Sequence, residues 1–202
     1  MYSIGQEPRM KPLPPDEWDP SLQHIIDDMN GQPINIHCLL ANHPQLLKAW
    51  WSYRMYSVRG GDLQQRECEL VILRVAVHVK AWYEWAAHVD RGLAAGLSLD
   101  EIYRVATGPA AAGWNQQDST LLNAVDQLFL NRGIHVATRK GLDAFFSEKQ
   151  IMDIVSLQGL YVTIASFIGT WGIELEDRIA QRLPDEVTEE SFSELVSTTY
   201  RD

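Results

Sequence analysis

Thiols are scarce in this 202-residue sequence, which contains only Cys38 and Cys68. Two cysteines at this separation form neither a disulfide framework nor a Cys-x-x-Cys redox motif. We therefore expect two reduced, buried thiols, which is typical of a cytoplasmic protein. The spacing also argues against chemistry that needs two neighbouring thiols in the sequence.

Basic charge is equally limited. The 17 Lys and Arg residues are outnumbered by 27 Asp and Glu, which gives a formal net charge of −10, and no run of Lys and Arg occurs. Because binding to a phosphate backbone needs clustered basic side chains, nucleic acid is not expected as a partner.

Long apolar segments are missing as well. No uninterrupted apolar run approaches the roughly 20 residues of a membrane-spanning helix, and the N-terminus has no apolar signal segment. We therefore expect no membrane partner. Residues 1–19 contain Pro8, Pro12, Pro14 and Pro15, which oppose a helix, so this segment is predicted to be an extended N-terminal arm.

No alternating strand pattern of useful length and no fixed-period repeat is visible, so the predicted class is all-α. With 46% hydrophobic residues, residues 1–183 can bury the core of a single helical domain, followed by an acidic tail at 184–202. Two capping boxes mark helix starts, at Ser98–Glu101 and Ser147–Gln150. The predicted helices cover about 21–29, 43–58, 63–79, 81–95, 98–107, 121–130, a short segment near 142–146, 149–169 and 175–183.

The stretch from Arg66 to Val89 holds the most residues capable of chemistry. Glu84 and His88 are four residues apart, so they share one face of a helix. On one straight helix Glu69 and His88 would be roughly 28 Å apart. A turn near residues 78–81 would instead fold the stretch into an antiparallel helix hairpin and set Glu69 beside His88 on packed helices. No Gly or Pro marks that turn.

Two interpretations of this hairpin remain open on pattern alone. The charged face can be a structural ion-pair network, or it can be a site in which buried carboxylates and a histidine move protons beside an aromatic wall. Glu69, Glu84 and His88 could also ligate a metal, but a second His or a Cys at ligand spacing is lacking, so we expect neither metal nor cofactor. The face comprises Arg66, Glu69, Glu84, His88 and Arg91, and the wall Trp82, Tyr83 and Trp85.

Three motifs together resemble the carboxymuconolactone decarboxylase-like branch of the alkylhydroperoxidase D superfamily. They are Arg-Glu-x-Glu-Leu-Val-Ile-Leu-Arg from Arg66, Trp-Tyr-Glu-Trp-x-x-His from Trp82, and Ala-Gly-Leu-Ser-x-x-Glu-Ile from Ala95. The resemblance extends from about Ile34 to Leu175. It implies a helical bundle built around the central hairpin, and a homo-oligomer, either a trimer or a hexamer.

The resemblance also implies a function. In the peroxidase branch two cysteines occupy the positions of Ala81 and Glu84, so thiol peroxidase activity is not expected here. The decarboxylase branch has a Glu-x-x-x-His pair, which this chain keeps as Glu84 and His88. True lactone decarboxylases place Arg and a small hydroxyl residue where this chain has Cys68 and Glu69, which weakens the case for the lactone itself as substrate.

These observations lead to one functional hypothesis with alternatives. We expect a cofactor-free, decarboxylase-type lyase acting on a small aromatic-derived or lactone carboxylic acid, in aromatic compound catabolism. A hydratase, an isomerase, a retro-aldol lyase and a non-catalytic oligomeric binding protein are the alternatives. The predicted catalytic residues are Glu69, Glu84 and His88, and the predicted substrate-binding residues are Arg66, Trp82, Tyr83, Arg91, His43 and His78.

Overall fold

The computed structural model describes residues 10–199, except the side chains of residues 59, 60, 198 and 199. This part contains α-helices and short 3-10 or π turns but no strand, so the predicted all-α class is confirmed. The remainder of the predicted arm and tail, residues 1–9 and 200–202, lies outside the described residues. The helices are α1 (Gln23–Asp28), α2 (Asn35–Leu40), α3 (Pro44–Met55), α4 (Gln65–Val79), α5 (Trp82–Ala94), α6 (Leu99–Thr107), α7 (Gln116–Asn131), α8 (Val136–Leu142), α9 (Glu148–Trp171), α10 (Asp177–Ala180) and α11 (Glu189–Thr199).

Helix α4 is the centre of the bundle and packs against α5, α6, α7 and α9. Its run of Leu, Val and Ile from Leu70 to Val77 is buried on all sides. A capping box formed by Gln64 and Glu67 begins the helix and satisfies backbone N–H groups of its first turn. A helix segment with apolar side chains on every face exposes them to water unless other helices surround it. This pattern explains why α4 lies in the core.

The predicted turn of the hairpin is confirmed. Helix α4 ends at Val79, Lys80 adopts a left-handed conformation with φ 55°, and α5 begins at Trp82. The backbone N–H of Ala81 donates to the carbonyl of Ala76 at 2.9 Å, and that of Lys80 donates to Val77, which is the bonding of a Schellman cap. A left-handed residue reverses the chain here without glycine.

Helix α9 buries only one of its faces, against α4 and α7. It begins at the predicted capping box of Ser147 and Gln150. Its 24 residues have a mean hydropathy of 1.6 over the most apolar window, so by length and composition it could cross a membrane, contrary to the expectation from sequence. Half of that window is buried within this protein, as in a core helix.

Several segments differ from the sequence-based prediction. Helix α8 ends at Leu142 instead of covering 142–146, and α10 has four residues instead of covering 175–183. Helix α2 was not predicted, because Pro33 and Asn42 bracket a segment too short for a clear apolar period. The acidic segment after Pro184 forms helix α11, whose Phe192 and Val196 are buried against α5 and α6. Phe192 lies with its ring centroid 5.2 Å from that of Trp85, so this segment covers aromatic surface of the hairpin.

Candidate active site

The hairpin brings Glu69 of α4 and His88 of α5 into direct contact. The distance from His88 Nδ1 to Glu69 Oε2 is 2.6 Å, and both side chains are buried. A carboxylate can only accept, so Nδ1 of the imidazole carries the proton and donates it to Glu69. Gln65 donates to the other oxygen of Glu69 at 2.7 Å, which fixes the carboxylate from the preceding turn.

The second nitrogen of His88 contacts Arg91, one turn further along α5. Arg91 Nη1 lies 3.1 Å from His88 Nε2, and the guanidinium can only donate. The neutral imidazole therefore donates through Nδ1 and accepts through Nε2. Tyr161 of α9 lies edge-on to the imidazole ring, with ring centroids 5.0 Å apart, and limits its rotation.

Burial and charge act in opposite directions on this pair. Burial lowers the pKa of His88, Glu69 raises it, Arg91 lowers it again, and the net direction is downward. For Glu69, burial alone would raise the pKa, but His88, Arg91 and the hydrogen bond from Gln65 outweigh it and hold the pKa below its ordinary value. At neutral pH the site therefore holds an ionised Glu69 beside a neutral His88.

Glu84 has a very different environment. Only 2% of the residue is exposed, and neither carboxyl oxygen has a hydrogen-bond partner among the described residues. Burial raises the pKa of Glu84 well above its ordinary value. Burial therefore favours the protonated, neutral form of Glu84, which is held one helical turn before His88.

A small cavity opens onto Glu84 and His88. Its volume is about 30 Å³, which is room for roughly one or two water molecules. Helices α2, α3, α5 and α9 form its walls. The lining residues are Ile34, Ile36, His37, Arg54, Tyr83, Glu84, Ala87, His88, Arg91, Tyr161 and Ile164.

Three polar residues of this cavity were not among the predicted site residues. Arg54 of α3 is buried and stacks over Trp51 at 5.0 Å, and His37 of α2 is 1% exposed. The pKa of Tyr161 is raised, mainly by burial. These side chains reach the hairpin through the packing of helices distant in sequence, so no local spacing signals them.

Arg66 does not reach the cavity. Its guanidinium forms two 2.8 Å hydrogen bonds with Asp118 and one of 2.6 Å with Glu101, which raise its pKa and tie α4 to α6 and α7. His78 also lies away from the cavity. Its Nε2 is 2.7 Å from Asp126, and its ring stacks on Phe129. Arg66 and His78, both predicted to bind substrate, therefore do not line this cavity.

Trp82 and His43 also lie outside the cavity, where they contact other parts of the chain. Trp82 packs against Phe192 and lines a groove on the surface rather than the cavity. His43 caps helix α3, where its Nδ1 accepts a 3.3 Å hydrogen bond from the backbone N–H of Leu46. Tyr83 does line the cavity as predicted, and its hydroxyl donates to Glu176 at 2.8 Å. Tyr83 and Arg91 are thus the two predicted binding residues that lie at the cavity.

Thiol and metal chemistry find little support in the donor set. Cys38 and Cys68 are free and buried, as predicted, and burial raises the pKa of Cys38 to about 11 and that of Cys68 to about 12. Such thiols are poor nucleophiles because the thiolate is the reactive form. Within residues 10–199, no three His, Cys, Asp or Glu side chains converge in an arrangement that could hold a metal ion.

Comparison with known proteins places this geometry in context. Residues 44–127 match the model of the Carboxymuconolactone decarboxylase family. No curated protein matches the chain. Among solved structures, a peroxidase-related protein with an alkylhydroperoxidase AhpD core from Ralstonia eutropha JMP134 has a TM-score of 0.68 at 18% identity, covering 85% of this chain and 92% of its own.

Two further structures share the fold. A peroxidase-related protein from Silicibacter sp. TM1040 has a TM-score of 0.68 at 19% identity, over 87% of this chain and 97% of its own. A variant of the debrominase Bmp8 in complex with 2,3,4-tribromopyrrole has a TM-score of 0.71 at 13% identity, over 89% and 97%. These matches confirm the predicted resemblance: residues 44–127 are similar to the carboxymuconolactone decarboxylase family, and the chain has the AhpD-like helical fold.

Proposed function

We propose that this chain is a cofactor-free enzyme of the decarboxylase-type lyase class, which moves protons on a small carboxylic acid in the cavity beside Glu84 and His88. The observation that carries the proposal is the state of Glu84. A buried carboxyl group whose two oxygens lack partners is costly to fold and is seldom kept without a function. A neutral acid in a small, buried cavity is the form that a proton donor needs.

Glu69, His88 and Arg91 complement this acid. Glu69 holds the Nδ1 proton of His88, so Nε2 is the nitrogen available to accept a proton. Arg91 Nη1 donates a hydrogen bond to this Nε2. An arriving carboxylate would compete for Arg91, because a guanidinium binds carboxylate more strongly than a neutral imidazole nitrogen. His88 Nε2 would thereby become free to accept a proton only once the substrate is bound.

The cavity also favours an anionic substrate on charge grounds. Arg54 and Arg91 both lower the pKa of His37, and both act on His88 and Tyr161 in the same way, so the two guanidinium groups lie close to the cavity. Glu69 supplies one negative charge against these two positive charges, while Glu84 is neutral. The excess positive charge would attract a carboxylate. Arg54 and Arg91 take the role expected of Arg66.

Decarboxylation would use these groups as follows. The bond between the substrate carbon and its carboxylate breaks, carbon dioxide leaves, and the electron pair remains on the substrate as a conjugated enolate. Glu84 donates its proton to the carbon and is reprotonated from solvent, so the net reaction consumes one proton and releases carbon dioxide. Glu84 and His88 could serve a hydratase, an isomerase or a retro-aldol lyase in the same manner, which remain alternatives.

A non-catalytic binding protein is the second candidate, and the cavity volume of about 30 Å³ is the observation that favours it. An organic acid of six or more non-hydrogen atoms requires a wider space, so the enzyme proposal needs a movement of the walls. A protein of the same fold, the debrominase Bmp8, binds the small ring of 2,3,4-tribromopyrrole. Thiol peroxidase activity is disfavoured by Ala81, Glu84 and the two buried cysteines.

The experiment is a turnover screen with a panel of aromatic-acid catabolites, including muconolactones. Turnover is detected as release of carbon dioxide and as a change in pH. Glu84→Gln and His88→Gln are each expected to lower the rate on the true substrate by about 10²- to 10⁴-fold, as for a placed acid or base. Glu190→Gln, on an exposed surface, is the matched control. Unchanged rates in Glu84→Gln and His88→Gln would rule out the proposed roles.

A further inference from the structure

Helix α2 contributes one polar side chain to the cavity, and its function is not explained by the hairpin. His37 is 1% exposed and lines the same cavity as Glu84, from a different wall. Its Nδ1 is fully buried and has no hydrogen-bond partner among the described residues. Leaving a buried polar atom unpaired costs about 1–3 kcal/mol. Such a cost is accepted where the missing partner comes from outside the chain.

The state of His37 suits it to bind a polar atom. Burial lowers its pKa well below the ordinary value, and the charges of Arg54 and Arg91 lower it further. A neutral imidazole has one nitrogen that donates and one that accepts, so it can pair with either a hydroxyl group or a carbonyl oxygen. It cannot supply a positive charge for a carboxylate, and that role falls to the arginines.

The wall that carries His37 is held in a fixed position. The backbone N–H at the start of α2, from Asn35, donates to Glu176, and the Asn35 side chain donates to the carbonyl of Glu174 at 3.0 Å. Arg178 donates to the side chain and to the backbone carbonyl of Gln32, each at 3.0 Å. The imidazole itself contacts the edge of Trp51, with ring centroids 5.2 Å apart. The orientation of His37 is therefore set before a ligand arrives.

We propose that His37 is a substrate-binding residue that pairs with an oxygen of the substrate other than its carboxylate. This inference rests on the proposed function, and it deepens it by naming a chemical class: a small carboxylic acid that carries a second oxygen as a hydroxyl or carbonyl group. His37 then determines which carbon of the substrate faces Glu84. Arg91 would hold the carboxylate, and the Glu84 acid would stay free to donate its proton.

One competing role for His37 is purely structural. Trp50 Nε1 is a second buried donor without a partner, and the Trp50 ring lies 5.7 Å from the imidazole. His37 Nδ1 could serve Trp50 through a bridging group rather than serve a ligand. Trp50 does not line the cavity, so this role predicts that His37 affects stability and leaves ligand preference unchanged.

The test uses benzoate and the three hydroxybenzoate isomers as probes, with affinities measured by titration calorimetry at pH 7.5. In wild type, at least one isomer should bind about 10-fold more tightly than benzoate, as expected for one added hydrogen bond. His37→Phe keeps a ring against the tryptophans and should abolish that preference while benzoate affinity stays the same. His37→Gln, which restores a polar atom, should recover part of the preference.

The outcomes separate the two proposals. If the favoured isomer keeps its advantage in a folded His37→Phe protein, or if no isomer is favoured in wild type, the role of His37 is contradicted. Benzoate binding that is lost in Arg91→Gln and kept in His37→Phe supports the proposed function independently of the hydroxyl preference. Absence of benzoate binding in wild type would contradict carboxylate recognition by this site, and with it the role of His37.

Discussion

At the scale of single residues, the site rests on two acidic side chains in opposite protonation states. Glu69 is bonded to donors that favour its ionised form, whereas Glu84 has no partner among residues 10–199 and its burial favours the protonated form. Two carboxyl groups whose surroundings separate their pKa values can take different roles in one reaction. The charged face is therefore not one ion-pair network, because Glu84 and Arg66 do not belong to the chain of contacts around His88.

The role of Glu69 is tested by Glu69→Gln. The amide can still accept the Nδ1 proton, so orientation is partly kept, and turnover should fall less than in His88→Gln. Glu69 raises the pKa of His88, so removing its charge should lower that pKa further. If activity needs neutral His88, the acidic limb of the pH–rate profile moves to lower pH. A pH–rate profile that is unchanged in Glu69→Gln would contradict this coupling.

Part of this residue-scale picture was predictable from sequence. The spacing of Glu84 and His88 and the folding back of the chain near Lys80 suffice to set Glu69 against His88. His37 and Arg54 were not predictable, because their positions depend on how α2 and α3 pack over the hairpin. The position of Arg66 away from the cavity has a related cause: Asp118 on α7 and Glu101 on α6, both distant in sequence, determine which way that guanidinium turns.

At the scale of elements, the turn of the hairpin is the feature on which the site depends. Lys80 is a non-glycine residue at φ 55°, which costs about 1–2 kcal/mol relative to an unstrained residue. Replacing Lys80 with Gly should therefore stabilise the folded state by about 1 kcal/mol, measured by denaturant unfolding. Lys80→Val, with a β-branched side chain, should destabilise it. A loss of stability in Lys80→Gly would contradict this description of the turn.

Helix α2 forms the wall of the cavity that carries His37. Its N-terminus is held by Glu176, which also accepts from Tyr83. Glu176→Ala should increase hydrogen exchange in residues 34–40 and lower the free energy of unfolding by about 1–3 kcal/mol. Glu174→Ala, which keeps the backbone carbonyl bound by Asn35, is the control. Equal exchange in the two variants would show that Glu176 does not hold this wall.

Helix α2 also shows why the fold was predicted only in part. Long helices with capping boxes, such as α6 and α9, were located from Ser98 and Ser147, since their signals are local. Helix α2 has six residues, and its stability comes from contacts with Glu176 and from burial of Ile36 and Leu39. Such a helix depends on tertiary packing more than on its own sequence.

At the scale of the whole molecule, the exposed face of α9 indicates where a second copy would bind. Met152 is 70% exposed and Val155 43%, and no charged residue lies between Ile154 and Trp171. The hydroxyl groups on this face bond to carbonyls of their own helix, as Thr163 does to Gly159 at 3.0 Å and Ser166 to Val162 at 2.8 Å. The face therefore behaves as an apolar surface, which favours an interface.

We predict that the protein is a homo-oligomer, either a trimer or a hexamer, and that Val155→Lys lowers its mass toward that of one chain. A charge buried in an apolar interface without a partner opposes association. Light scattering at micromolar concentration measures the mass, and Lys149→Ala, at an exposed position on the first turn of α9, is the control. A wild-type monomer would contradict the prediction, as would an oligomer unaffected by Val155→Lys.

The most direct test of the central claim is the difference in melting temperature between Glu84→Gln and wild type, measured from pH 4 to pH 9. The folded state holds Glu84 protonated, so wild type loses stability as pH rises above about 4.3, where the unfolded chain ionises. Glu84→Gln has no such loss. The melting temperature of Glu84→Gln minus that of wild type should therefore increase steadily as pH rises, and it should be positive at pH 8. If Glu84 were an ionised member of an ion-pair network, Glu84→Gln would instead melt increasingly below wild type as pH rises, and that result would contradict the account.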